Sequence, residues 1–240
     1  MGAEAKRGII LAAGLGMRMR PLTLNRPKPL IELGGRPMID HCIDRLKAAG
    51  ISEIVVNVHY LAEQVIAHCA GRKDVTLQIQ DERDAILDTG GALVRARPFF
   101  QERPFVAFNS DSIWVEGMGS NMRRLMAAWD EAAMDCLMLL APCWNTIGEV
   151  RRGDFVMDAF GRLTWPEPKR VAPFMFPGVQ IMHPRLLDGA PEGPFSTKLL
   201  WDRAMEAGRL HGVRLEGRWM HVGTPDALEE AEEYLRELRV

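Results

Sequence analysis

Residues 9 to 30 read Ile-Ile-Leu-Ala-Ala-Gly-Leu-Gly-Met-Arg-Met-Arg-Pro-Leu-Thr-Leu-Asn-Arg-Pro-Lys-Pro-Leu, a short apolar run followed by two glycines, four cations and three prolines. Gly14 and Gly16 permit the positive φ and close backbone approach that a phosphate cradle requires. Arg18, Arg20, Arg26 and Lys28 bring charge beside them. Arginine grips phosphate oxygens with a rigid fork, and lysine acts as a mobile point charge on one phosphoryl group. Pro21, Pro27 and Pro29 fix φ and are expected to hold Lys28 on a stiff, extended segment. The chemistry this pattern predicts is the binding of a polyphosphate. Two other glycine loops fit poorly: a dinucleotide fingerprint needs a small residue where Met19 stands, and a P-loop needs Gly-Lys-Ser/Thr. The remaining alternative is an ordinary strand-to-helix turn with solvated charges.

Asp111 closes a second apolar run, Pro104 to Asp111, at the carboxyl edge where open α/β sheets place ligands. A single carboxylate there suffices as the first ligand of Mg²⁺, which fills its other positions with water and phosphate oxygens; the alternative is a turn or cap before Ser112. In Leu87-Asp-Thr-Gly-Gly-Ala-Leu93 a glycine pair opens a helix. Bare N–H groups at such a start can meet a base, a ribose or a phosphate, and Thr89 can equally serve as an N-cap.

The string from Leu11 to Thr23, followed by Pro27-Lys28-Pro29-Leu30, resembles the signature of the sugar-phosphate nucleotidyltransferases. The resemblance implies transfer of a nucleotidyl group from an NTP to a sugar 1-phosphate with release of pyrophosphate. It places Leu11, Ala13, Gly14, Gly16, Met17 and Arg18 around the nucleotide, and Gln80, Thr89, Gly90 and Gly91 around the base. Arg18 then steadies the departing pyrophosphate, Lys28 neutralises the α-phosphate, and Asp111 holds the metal, Mg²⁺ or Mn²⁺. Asn109, Glu167, Lys169 and Gly178 fall to the sugar, although an exposed Glu-Pro-Lys loop is also what simple solvation produces. In this family a second carboxylate sits late, in Trp-x-Asp-x-Gly-Thr; here the stretch is Trp219-Met-His221-Val-Gly-Thr224. Imidazole suits Mn²⁺, Co²⁺ or Zn²⁺ better than Mg²⁺, so His221 is a metal ligand, a cation for phosphate, or a pocket or structural residue. Among the other histidines, only His59 is a candidate for the pocket.

Val56 to Gln64, Leu87 to Gly91, Phe99 to Asp111 and Phe176 to Leu187 further resemble the N-acetylmuramate 1-phosphate uridylyltransferases of bacterial cell-wall recycling. For that sugar a lactyl carboxylate needs a cation, and Lys169, Arg170 and Lys198 are candidates. Mannose or glucose 1-phosphate with GTP, UTP or dTTP is the alternative within the class. A catalytically silent sugar-nucleotide sensor is the alternative outside it.

These residues need a scaffold. Ile51 to Val58, Val75 to Gln80, Phe105 to Asn109 and Cys136 to Ala141 read as buried strands, as does Gly8 to Ala13. Met38 to Ala49, Leu61 to Ala70, Gly90 to Arg97 and Gly119 to Ala132 carry helical spacing. The alternation predicts an α/β fold with a doubly wound, mainly parallel sheet. After Asn145 shorter pieces around Phe155 to Asp158 suggest a small β meander. A strand at Val179 to Met182, a helix at Ser196 to Ala207, a strand at Val213 to Leu215 and a helix from Thr224-Pro-Asp to Leu238 then return to the main body. One domain over 1–240 is expected, with a nucleotide-binding core at 1–145 and a sugar-binding part with the C-terminal helix at 146–240. The family resemblance implies that this is the Rossmann-like nucleotidyltransferase fold, similar to that of GT-A enzymes.

The 30 basic and 32 acidic side chains of the 240 residues leave a net charge of −2, so no global field draws in nucleic acid or an anionic membrane. Cys42, Cys69, Cys136 and Cys143 lack CxxC spacing, which suits reduced core thiols. Met1 to Arg7 carries no long apolar stretch, and the reading is a soluble, cytoplasmic protein. Oligomeric state is not legible from helix faces alone.

Overall fold

The computed structural model describes residue 2 and residues 5–148 and 152–238, so part of the Met1 to Arg7 stretch lies outside it. The strands in chain order are β1 (Arg7–Leu11), β2 (Glu32–Leu33), β3 (Arg36–Pro37), β4 (Glu53–Val58), β5 (Thr76–Asp81), β6 (Phe105–Asn109), β7 (Ser112–Glu116), β8 (Cys136–Pro142), β9 (Thr146–Ile147), β10 (Val156–Met157), β11 (Leu163–Thr164), β12 (Phe174–Met175), β13 (Val179–Met182), β14 (Leu210–Arg214) and β15 (Gly217–His221). The helices are α1 (Met38–Ala48), α2 (Ala62–Gly71), α3 (Asp88–Phe100), α4 (Asn121–Ala128), α5 (Lys198–Glu206) and α6 (Pro225–Glu237).

Eight strands form the main sheet, in the order β12-β8-β13-β6-β1-β4-β5 with β14 also on β8. β5, β4, β1 and β6 pair in parallel, and β14 is parallel to β8. Between β6 and β8 lies β13, antiparallel to both. The expected doubly wound, mainly parallel sheet is therefore present, and β13 and β14 bring the later half of the chain into it.

Side-chain alternation along each strand explains why helices cover both faces. Ile10, Ile54, Val56, Val106, Phe108, Leu137 and Leu139 turn toward α1 and α2, where Ile39, Cys42, Ile43, Leu46, Val65 and Cys69 meet them. Their neighbours Ile9, Val55, Phe105, Ala107, Met138 and Leu140 turn the other way, onto Leu93, Ala96 and Phe100 of α3 and Leu200 and Ala204 of α5. A third core lies outside the sheet. Met19, Ile31, Leu33 and Met38 pack there with Ile113 of β7, Ile147 of β9, Met220 and Val222 near β15, and Ala231 of α6.

This third core rests on a three-stranded sheet, β7-β15-β9, which the sequence reading did not anticipate. Ser112–Glu116 follows β6 after only a two-residue turn and looks like its continuation, while Gly217–His221 is dominated by its motif residues. The Gly119 to Ala132 helix is shorter than expected, Asn121–Ala128, because Trp129 is extended and the Asp130 carboxylate accepts the Ala132 N–H at 3.0 Å, closing a turn. α3 is longer than expected. The meander is the β10-β11 hairpin, seated on the second core by Phe155 and Leu163. Among the described residues no helix is long and apolar enough to cross a membrane.

The start of α3 is fastened to residues 193–197. Gly90 donates its N–H to Phe195 O at 2.8 Å, and a Cβ on Gly90 would stand 2.3 Å from the Phe195 ring. Gly90→Ala is therefore expected to cost about 1–3 kcal/mol through overpacking. The check is a urea-denaturation cycle in which the same substitution costs clearly less in a Phe195→Ala background. Equal costs in both backgrounds would show that the ring is not the obstacle.

Candidate active site

β1 ends at Leu11, and the chain then makes a loop whose two glycines do different work. Gly16 takes the left-handed conformation at φ 61° and starts a single 3₁₀ turn, Met17–Met19. Gly14 has open space where a Cβ would stand, so it leaves the backbone bare toward the cavity. The loop is folded back on itself. Thr23, fully buried, donates its hydroxyl to Gly16 O at 2.8 Å, and the Tyr60 hydroxyl donates to Thr23 O at 2.9 Å. Met19 is fully buried in the third core, which contributes on the order of 1.5–3 kcal/mol to seating the loop.

Lys28 does not lie on the extended segment expected from its prolines. It opens a 3₁₀ turn, Lys28–Leu30, after Pro27, and Pro29 is tolerated because a first-turn residue needs no N–H acceptor. The turn aims Lys28 Nζ at Asp111 Oδ2, 2.5 Å away across 83 positions of sequence. Asp111 stands in the turn between β6 and β7. Burial pushes its carboxyl pKa up, but the Lys28 charge and hydrogen bond, with His221 behind, outweigh that and hold it below the ordinary value.

His221 reaches this place through strand register: β15 runs antiparallel to β7 with His221 opposite Ser112. Its ring stacks on Trp219 at 5.0 Å between centroids. A Cβ on Gly223 would meet Arg18 Nη1 at 3.1 Å and His221 Nε2 at 3.3 Å, so the Arg18 guanidinium and the imidazole flank one turn. Arg18, Lys28, Asp111 and His221 are thus gathered at one edge of the sheet. Among the described residues no group of three His, Cys, Asp or Glu side chains has metal-binding geometry. Asp111 as a hard carboxylate fits one protein ligand of a divalent ion that draws its other donors from substrate and water.

Beside this group a cavity of about 420 Å³ is lined by Leu11, Ala13, Gly14, Lys28, Thr89, Asn109 and Asp111, all of them named from sequence. Asn57, Glu82, Ile86 and Asp88 line it as well and were missed. A polar residue inside the apolar run of β4 was the available signal for Asn57, which is 3% exposed and accepts the Ala12 N–H at 2.6 Å. Gln80 stands one residue back. Its amide donates to Glu82 Oε1 at 2.7 Å and to Ala92 O at 3.1 Å. Gly90 and Gly91 face residues 193–195, where a Cβ on Gly91 would come within 2.3 Å of Gly193 O, and they do not line the cavity. A larger cavity, about 690 Å³, opens at the opposite, amino edge around Arg7, Glu53 and Pro104, away from the phosphate loop.

Gly178 and Asn109 are brought together. Asn109 donates its N–H to Gly178 O at 2.7 Å, and Gly178, at φ 93°, leaves no room for a Cβ, which would meet Ser112 Oγ at 2.3 Å. Glu167 and Lys169 are not brought to them. They lie on an exposed turn where Glu167 pairs with Arg170 at 3.4 Å, outside the cavity lining. Lys198 lies over the Trp165 ring at 4.7 Å, on the rim of an aromatic cluster of Phe155, Trp165, Phe176 and Trp201. His59 donates from Nδ1 to Glu82 O, 2.6 Å away, which ties it to the same wall.

Known proteins share this chain's sequence and fold. The family model described as nucleotidyl transferase matches residues 7–145. The N-acetylmuramate alpha-1-phosphate uridylyltransferase of Caulobacter vibrioides is 42% identical over 99% of this chain and 100% of its own length. The enzyme of the same name from Neisseria meningitidis serogroup B is 30% identical over 94% of this chain and 96% of its own. Among solved structures, HddC from Yersinia pseudotuberculosis complexed with GMP-PN superposes with a TM-score of 0.75 at 19% identity, over 96% of this chain and 99% of that one, a likeness of fold.

The ion pair carries a pH signature. Because the folded pKa of Asp111 lies below its unfolded one, its contribution is fully present above the unfolded pKa and is lost as pH falls through the folded value. In Lys28→Met, burial is opposed only by the weaker influences of His221 and a backbone hydrogen bond. The gap in melting temperature between wild type and variant is expected to be widest near pH 7 and to narrow below about pH 4, the ordinary carboxylate range. A gap independent of pH would mean that Lys28 does not hold Asp111 ionised.

Proposed function

This chain belongs to the nucleotidyl transferase family, and on that premise we propose that it joins UTP to N-acetylmuramate α-1-phosphate, releasing pyrophosphate and giving a UDP-sugar. The observation that carries the reaction class is Lys28 meeting Asp111 beside the bare Gly14 loop. Identity to the two uridylyltransferases along nearly the whole chain supports the choice of sugar and base.

In the proposed step an oxygen of the acceptor's phosphate attacks the α-phosphorus of the triphosphate. A new P–O bond forms as the bond to the β-phosphoryl oxygen breaks, and pyrophosphate leaves with the electron pair. The attacking oxygen is already anionic, so no general base is needed, and catalysis reduces to alignment and charge neutralisation. Lys28 transfers its donor from Asp111 to the α-phosphoryl oxygens. Arg18 meets the leaving pyrophosphate. Gly14 and the residue 11–13 backbone support the nucleoside, and Asn109 with Gly178 contacts the sugar. A divalent ion, Mg²⁺ or Mn²⁺, held by Asp111 and His221 would supply further positive charge to the phosphates. Residues 146–240 contribute the sugar side, and the reaction belongs to the cytoplasm, where nucleoside triphosphates are at hand.

Pyrophosphate release with each of four NTPs and a panel of sugar 1-phosphates tests the proposal. Turnover confined to UTP with the muramate ester is expected; turnover with a mannose or glucose ester would replace the substrate and keep the class. Lys28→Ala is expected to lower kcat by about 100-fold or more. Lys169→Ala, on an exposed turn, is expected to change it by less than about threefold. Comparable small losses in both would remove Lys28 from the chemistry. His221→Asp is expected to shift the metal optimum from Mn²⁺ toward Mg²⁺, and identical metal titrations for wild type and variant would show that His221 is not a ligand.

A further inference from the structure

Next to the cavity stands an aromatic cluster in which Trp165, Phe176 and Trp201 keep part of their surface exposed. Phe155 stacks on Trp165 at 4.7 Å between centroids, and Phe176 meets Trp201 edge-on at 5.0 Å. The cluster is tied to the cavity from two sides. Phe176 stands two residues before Gly178, whose carbonyl accepts the N–H of the lining residue Asn109. Across from it, the Thr197 N–H donates to the hydroxyl of Thr89, also a lining residue, at 3.0 Å. Lys198 follows Thr197 directly and holds Nζ 4.7 Å from the centroid of the Trp165 ring. That ring is itself fixed, because its indole N–H donates to Asp202 Oδ1 at 2.6 Å.

The surroundings separate the three cations that sequence offers to an acidic sugar substituent. Arg170 is paired with Glu167 at 3.4 Å, and Lys169 stands beside it on the same exposed turn. Lys198 forms no ion pair with any described residue. An ammonium on an aromatic face, with no carboxylate to neutralise it, keeps its full charge for an incoming anion. We propose that Lys198 selects an acidic acceptor: its ammonium pairs with the lactyl carboxylate of N-acetylmuramate 1-phosphate, and Trp165 is the platform that holds it in place. This rests on the muramate reading above and deepens it. A lactyl ether projects from the sugar ring, so its carboxylate meets a group beyond the cavity lining, where Lys198 stands. The flexible four-carbon stem of the lysine starts one residue, about 3.8 Å, from the Cα of Thr197 and can follow the substituent. A neutral sugar gains nothing from the ammonium, so the preference falls on the acid alone.

The test compares N-acetylmuramate 1-phosphate with its lactyl carboxamide, nearly isosteric and uncharged, in pyrophosphate release with UTP. For the wild type, kcat/KM is expected to favour the acid by about 10- to 100-fold, the range of a charge-assisted hydrogen bond. Lys198→Met is expected to bring that ratio to within about threefold of unity, through KM rather than kcat, and Lys198→Arg to keep most of the preference. The residue is exposed, so the melting temperatures of both variants are expected to stay near that of the wild type. A preference that survives in Lys198→Met, or that falls with Lys169→Met or Arg170→Met in its place, overturns the assignment and leaves the muramate reading standing. Equal kcat/KM for acid and carboxamide in the wild type overturns it together with the choice of sugar. Absence of turnover with both compounds sinks the transfer reading, and the assignment with it.

Discussion

The ion pair between Lys28 and Asp111 sets the terms for the rest of the site. It joins segments 83 positions apart, and neither partner could hold its place alone. Lys28 depends on the Pro27-bounded turn and on Met19 and Ile31 in the third core. Asp111 depends on the tight turn between a strand of the main sheet and one of the small sheet. With both half-shielded from water, a carboxylate lacking its cation would be pushed toward the neutral form, so the two charges are retained together. The phosphate loop, both sheets and the C-terminal helix all bear on that one contact.

In the proposed reaction the same contact prepares the site for a highly anionic substrate. Lys28 and Asp111 neutralise one another at the cavity mouth, and on that proposal a triphosphate taking over Lys28 would leave Asp111 as a carboxylate suited to a hard cation. Substrate and cation are then mutually favourable, since each relieves the partner the other displaces. His221 occupies the place of a carboxylate in the family motif, one register step from this pair. The site consequently carries less negative charge than the motif with Asp would give it, a difference that bears directly on which divalent ion it favours.

Function and stability meet in the glycines. Gly178 is forced by packing: any side chain there would strike Ser112 and Asn109, the residues on either side of the Ser110-Asp111 turn. Gly90 and Gly91, which look from sequence like ligand contacts, instead let the 193–197 segment lie against the start of α3. Gly14 alone of these faces open space. Identical residue types thus serve close packing in one place and ligand approach in another, and only the neighbours distinguish them.

The parallel core of the sheet, its covering helices, the glycine loop after β1, and Asp111 at a strand end are legible in the sequence, whereas the turn that carries Lys28 is not. Each rests on local pattern, such as apolar alternation, a glycine pair or a proline, within a few residues. What tertiary structure alone decided is which distant residues meet. The β7-β15-β9 sheet brings His221 beside Asp111, and short strands of two to five residues carry too little periodicity to announce their partners. The third core, which seats the phosphate loop, is assembled from single residues spread from Met19 to Ala231. Glu82 is a charged residue after a strand in sequence, and becomes a buried acceptor only because Asn57 and Gln80 close over one of its oxygens and leave the other without a donor. Burial and hydrogen-bond satisfaction are properties of the surroundings, and a chain read one residue at a time does not contain them.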